Sequence, residues 1–143
     1  MIVSTEPSQI QYDSLPKVTV DRYFQTMNDG IFSETALLFT PDGILAPPVT
    51  QQIKGQAAIA AYLDKAARGI NLQPVTTTVK PFYKDRIQVD VEGRVQTSCF
   101  EADVSWAFLI SSDSKICLLQ IKLLLNLDEL RQLRPYLNEY VCG

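Results

Sequence analysis

The sequence predicts an α+β domain in which a curved antiparallel sheet wraps around N-terminal helices. Three observations lead there. Apolar residues recur at helical spacing as far as Arg68. Beyond Gly69 they switch to the two-residue period of strands. Polar turn clusters then separate the later runs at hairpin distances. The length of 143 residues suits one domain with one core. We expect a loose arm over residues 1–14, a folded unit over residues 15–137 and a tail over residues 138–143.

The elements follow in order. Val20, Tyr23, Phe24 and Met27 fall at i, i+3, i+4 and i+7, which predicts a helix over Pro16–Met27 with one buried face. Asn28-Asp29-Gly30 ends it, with Gly30 suited to a left-handed cap. A short helix is expected over Ser33–Phe39. Thr40-Pro41-Asp42-Gly43 reads as a turn, and Gly43–Ala46 as a short strand stopped by Pro47-Pro48. Ile59, Tyr62, Leu63 and Ala66 share one face of a third helix, Gln56–Arg68, which Gly69 stops. Leu72–Tyr83 is extended, and Lys84-Asp85 reads as a hairpin turn. Ile87, Val89 and Val91 alternate with polar residues, and Val95, Thr97 and Cys99 continue the phase if no bulge falls at Glu92-Gly93. A turn near Glu101-Ala102 leads to a strand holding Val104, Trp106, Phe108 and Ile110 on one face. Lys115–Leu125 is a last strand, and Asp128 caps a closing helix through Leu137.

The bulk numbers exclude several classes of function. A net charge of −3 with no basic stripe argues against nucleic acid. The longest apolar runs are too short to span a bilayer, so no stable membrane insertion is expected. Met1–Gln11 lacks the regions of a secretory signal, and a cytoplasmic protein is expected. Cys99, Cys117 and Cys142 are an odd number at wide spacings, which argues against a disulfide framework and against zinc-type ligand spacing, and no metal site is expected. Cys117, in an apolar run, is expected in the core. Histidine is absent, which removes the commonest general acid/base and metal ligand near neutral pH.

The chain's one tryptophan, Trp106, stands on the apolar face of its strand, and Tyr23 on that of the first helix. Each is also what a packed core contains. Together they offer an indole N–H and a phenol O–H, two donors for one acceptor on an otherwise apolar ligand.

The order of helix, Pro-Asp-Gly, strand, Pro-Pro, Lys-Gly, helix and long meander resembles the nuclear transport factor 2-like superfamily, whose fold is a cone of curved sheet and helices. Within it, Tyr23–Gly30 and Leu38–Pro48 resemble the C-terminal domain of the orange carotenoid proteins of cyanobacteria. Gly93–Thr97, Trp106–Leu109, Ile121–Leu124 and Glu129-Leu130 continue the match. The resemblance implies a stand-alone homologue of that domain, without the family's helical N-terminal domain. It implies a carrier of a ketocarotenoid such as canthaxanthin or echinenone, with a role in photoprotection. It further implies a homodimer that passes pigment to helical carotenoid-binding proteins. The family's carbonyl-holding tyrosine and tryptophan fall on Tyr23 and Trp106, with Phe24, Met27, Val104 and Phe108 flanking as a polyene wall. A cysteine near Cys99 forms intersubunit disulfides in such homologues. Two features depart from the family pattern. Its second tryptophan is replaced around Ser98-Cys99, and its acidic pair on the third helix reads Asp64-Lys65-Ala66.

Two other readings stay open. A ketosteroid isomerase-like enzyme needs a carboxylate just after the first strand, where Ala46-Pro47-Pro48 stands, and a buried acid for which Asp103 is the candidate. We therefore expect no enzyme. A ligand-free interaction module of the same fold requires a cavity filled by side chains, with Leu118–Leu125 covered on both faces.

Overall fold

The computed structural model describes residues 7–48 and 50–124, and over residues 7–14 the backbone alone. The closing helix expected over Asp128–Leu137, the tail and Cys142 lie outside the described residues. Helix α1 is Pro7–Asp29, α2 Phe32–Leu37 and α3 Gln56–Ala66. The strands are β1 Phe39–Ala46, β2 Ile53–Lys54, β3 Asn71–Pro81, β4 Ile87–Gln96, β5 Glu101–Ile110 and β6 Ile116–Leu124.

Helix α1 starts nine residues ahead of the expected Pro16, so the stretch 7–14 assigned to the arm is helical. Proline is favoured in a first turn because its missing N–H has no partner there. Here Pro16 stands inside the helix, which forgoes one backbone bond and continues. The C-terminal end falls as expected: Gly30 adopts φ +75° and donates its N–H to the Met27 carbonyl at 3.1 Å.

The sheet order is β2-β1-β6-β5-β4-β3. Strands β3 to β6 form the expected antiparallel meander. The expectation of a wholly antiparallel sheet is corrected at β1, which pairs parallel to β6 and antiparallel to β2. The sheet is mixed. The turn expected at Thr40–Gly43 lies inside β1, as an irregularity between paired Phe39 and Ile44. The β3–β4 turn has Lys84 and Asp85 at φ 58° and 62°, the two successive positive values of a tight hairpin turn. The β4–β5 turn is Thr97–Phe100, so Glu101-Ala102 begins a strand instead of forming the turn.

Two bulges bend the meander. One lies in β3, where the register shifts between Pro74 and Thr76. It is on the neighbour of Glu92-Gly93, and the β4–β5 register runs unbroken through Gly93. The other lies at Cys117, between the pairs Ile110↔Ile116 and Leu109↔Leu118. A bulge reverses the side-chain phase locally, so Cys117 is half-buried rather than in the core as expected. Its thiol is free, and partial burial pushes its pKa up.

The concave face of the sheet holds the core against α1 and α3. Val89, Val91, Trp106, Phe108, Ile110 and Leu119 are all at most 1% exposed, as are Tyr23, Ile59 and Leu63 from the helices. Thr26 and Thr35 join α1 to α2 through hydroxyls 2.7 Å apart. Asn28 ties α1 to β3 as a strand would. Its side-chain amide donates to the Leu72 carbonyl at 2.9 Å, and its oxygen accepts from the Leu72 N–H at 2.7 Å. Asn28→Ala leaves both Leu72 groups without these partners. We expect a loss of about 2 kcal/mol, read as a lower denaturation midpoint at unchanged m.

Candidate functional site

The site begins with the face of α1. Helical spacing turns Tyr23 and Met27 toward the sheet, and strand alternation turns Val104 and Trp106 toward the helix. These four residues line one buried cavity, and Leu63, Ile70, Leu72, Val95 and Ile121 complete its wall. Every one of these side chains except the tyrosine and tryptophan is wholly apolar. The cavity measures about 10 Å³, close to the space one water needs.

Four aromatic rings brace this region. Phe24 meets Trp106 edge-on with centroids 4.7 Å apart, and Tyr23 at 5.1 Å. Phe108 meets Tyr23 at 5.3 Å and Phe24 at 6.0 Å. Phe24 and Phe108 therefore support the donor pair from behind and do not line the cavity. Each edge-to-face contact contributes about 0.5–1.5 kcal/mol beyond area burial, which fixes both polar side chains in place.

The Tyr23 hydroxyl is buried and has no hydrogen-bond partner among the described residues. Burial first, and the nearby Tyr62 second, push its pKa far above the ordinary tyrosine range. It is therefore a neutral O–H, a donor with nothing to donate to. A buried polar group left so costs about 1–3 kcal/mol. Such a group, set on a wall shared with an indole, can hold one acceptor atom of a ligand that is otherwise apolar.

The other residues singled out fall elsewhere. Asp103 is on the exposed side of β5, not in a turn and not buried. Its carboxylate pairs with Arg94 at 2.5 Å, and Arg94 also reaches Glu101 at 3.1 Å. It cannot serve as a buried acid. β1 ends at Ala46 and Pro47-Pro48 follow it, so no carboxylate stands there. Cys99 packs half-buried against the core in the Thr97–Phe100 turn, its N–H on the Thr97 hydroxyl at 3.0 Å. It is disulfide-bonded. An intersubunit link at this residue would have to replace that bond by exchange. Among the described residues no group of His, Cys, Asp or Glu is placed to hold a metal, and no helix is long and apolar enough to cross a membrane.

Sequence reasoning missed the cavity walls from α3 and the strand ends: Leu63, Ile70, Leu72, Val95 and Ile121. Their periodicity marked most of them as buried. Nothing in a periodicity distinguishes a residue facing a void from one facing a neighbour.

Residues 17–120 match the nuclear transport factor 2 domain. The orange carotenoid-binding protein of Synechocystis sp. is 28% identical over 127 residues, covering 86% of this chain and 40% of that protein. The orange carotenoid protein of Anabaena (Nostoc) sp., whose structure binds canthaxanthin, superposes with a TM-score of 0.72 at 33% identity, over 78% of this chain and 38% of the other. The chain thus spans about two fifths of the length of these relatives, and is homologous to their C-terminal domain. A steroid Δ-isomerase of Pseudomonas aeruginosa shares the fold alone, at a TM-score of 0.67 and 12% identity. With three helices against a curved six-stranded mixed sheet among the described residues, and with residues 17–120 of the chain matched, the chain belongs to the nuclear transport factor 2 domain family.

Proposed function

We propose that this protein binds a ketocarotenoid, such as canthaxanthin or echinenone, and carries it as a soluble photoprotective protein of the cytoplasm rather than acting as an enzyme. The observation that carries the reading is the unpartnered Tyr23 hydroxyl on an apolar cavity wall shared with Trp106. The donor set fits a keto oxygen: the phenol and the indole N–H would hold it, and Met27 and Val104 would flank the ring that bears it. The space fits that oxygen and little more. Binding therefore requires the wall to part. Homology to carotenoid-binding proteins supports the same ligand class. Pairing of two copies around the pigment, and its transfer to helical carotenoid-binding proteins, belong to the same proposal. No nucleic-acid partner is part of it.

The test is colour. Expressed in cells that make canthaxanthin, the protein should purify pigmented; a colourless product beside a coloured known carrier would reject the proposal. Trp106→Phe keeps most of the bulk and removes the N–H donor. It should weaken binding about tenfold, the worth of one hydrogen bond, and shift the pigment's absorption band. An unchanged spectrum and affinity would remove Trp106 from the site.

The narrow cavity favours a second reading, that of an interaction module with a filled core. A protein that stays colourless yet self-associates would select it.

A further inference from the structure

Strand β3 closes one side of the sheet, and among the described residues no strand lies beyond it. It is exposed from Gln73 through Thr78 and half-buried at Val79. The hydrogen-bond phase shows which of its backbone groups point outward. Phe82 donates its N–H to the Arg86 carbonyl at 2.8 Å, so on the same register the bonded pairs with β4 are Lys80↔Gln88 and Thr78↔Asp90. Pro81, which has no N–H, stands at an intervening position that needs none. Thr77 and Val79 therefore turn their N–H and C=O groups away from the sheet.

At the other end of β3 the outward groups belong to Leu72, and the Asn28 side chain takes both of them. The bulge between Pro74 and Thr76 separates the two stretches. Among the described residues no side chain does for Thr77 and Val79 what Asn28 does for Leu72. The side chains of those same two residues line an open groove of about 360 Å³ against α1. Val20 and Val89 complete its apolar wall, and Lys17 and Asp21 form its rim. These two charges pair with each other at 3.9 Å, so the rim has no net charge with which to select an ion.

We propose that the Thr77–Val79 edge is a docking site for an extended peptide segment of a partner protein, which adds a further strand to the sheet. Residues of the segment set opposite Thr77 and Val79 exchange backbone hydrogen bonds with them, and strand alternation turns the side chains of both toward the groove. The segment recognised thus carries two large apolar residues in alternation. A second copy of this chain fits poorly. Its own edge offers the same two positions beside a twisting bulge, and their valine and threonine side chains are already committed to its own groove. The groove shares no lining residue with the Tyr23–Trp106 cavity, so pigment is not required.

The probe is a capped peptide, Lys-Thr-Leu-Thr-Leu-Thr-Lys, added to the isotope-labelled full chain. In the free protein the Thr77 and Val79 amides should exchange with solvent about tenfold faster than those of Thr78 and Lys80. Saturating peptide should slow them to the rate of those neighbours. Methylating both leucine nitrogens keeps the side chains and removes both donors, and should weaken binding about thirtyfold, the worth of two hydrogen bonds. Replacing both leucines by alanine should weaken it about tenfold through lost apolar burial. Thr77→Pro removes an outward N–H and no ladder bond, and should weaken binding while Tm stays near that of wild type. Slow exchange at Thr77 and Val79 in the free protein overturns the proposal, because the edge is then already covered. So does slowing that follows protein concentration alone, which makes a second copy the occupant. A peptide that leaves both amides in fast exchange overturns it as well. Equal binding of the methylated peptide overturns strand addition, and equal binding of the alanine peptide overturns the role of the groove.

Discussion

Tyr23→Phe should make the unliganded protein more stable and the ligand bind more weakly. The two effects come from one atom. In the free protein the hydroxyl is buried without a partner, and deleting it relieves a cost of about 1–2 kcal/mol. For a domain of this size that raises Tm by about 3–6 °C. In the pigment complex the same hydroxyl gains an acceptor, so its loss should weaken canthaxanthin binding about tenfold. A tyrosine that merely fills the core would show the first effect without the second. Alkaline titration adds an independent signature. The folded phenol's pKa is raised, mainly by burial, whereas an unfolded tyrosine titrates near pH 10. Above about pH 10 the unfolded chain therefore releases a proton that the folded chain keeps. Stability then falls as pH rises, by up to about 1.4 kcal/mol per unit for this one group. Below that pH the contribution is fully present. The difference between wild type and Tyr23→Phe in denaturant midpoints at pH 9 and pH 11 isolates it from the other tyrosines. A difference that stays constant across that interval would refute the burial argument.

Gly93→Ala should be the most damaging single methyl group added to the chain. A Cβ on Gly93 would stand 2.1 Å from the Gln73 carbonyl oxygen and 2.9 Å from the Pro74 Cα. Both neighbours are backbone, so no rotamer relieves the clash. The contact sits beside the β3 bulge, where the register shifts between Pro74 and Thr76. The alanine must push β3 off β4 or straighten the bulge. We expect a cost of about 3 kcal/mol, at the upper end for overpacking. Scanning calorimetry should show Tm lowered by about 6–12 °C. Hydrogen exchange should place the loss of protection in the β3–β4 ladder first. A Tm within a degree of wild type would mean that β3 yields freely.

The same bulge shows what was and was not legible. Local periodicity placed α1's buried face, the β4 and β5 alternations and the Gly30 stop, because each depends on near neighbours. It did not give the direction of β1. A strand's side-chain pattern is the same beside a parallel or an antiparallel partner, and β6 lies far along the chain. It misjudged Cys117, because one extra residue in a ladder inverts the phase without changing composition. It began α1 at Pro16, since proline favours a helix start, and the structure begins the helix at Pro7 and carries it through Pro16. At the site, the two donors were legible as residues with polar tips on apolar faces. The closeness of the cavity was not. A void of about 10 Å³ is the residue of many packing contacts, and single-chain patterns carry none of them.

The parallel pairing of β1 with β6 also sets an order of events during synthesis. β1 ends at Ala46 and its central neighbour begins at Ile116, so β1 leaves the ribosome long before its partner exists. At about 5–20 residues per second the wait is about 4–14 s. Over that time its other neighbour is the two-residue β2, and the apolar residues Phe39 and Leu45 have no sheet to enter. The β3–β5 hairpins form meanwhile from local contacts, and closure comes when β6 inserts between β5 and β1. Long-range pairing of this kind is slow to find. The nascent chain's period of greatest exposure to chaperones and proteases is thus fixed by topology, and it ends with the arrival of one strand.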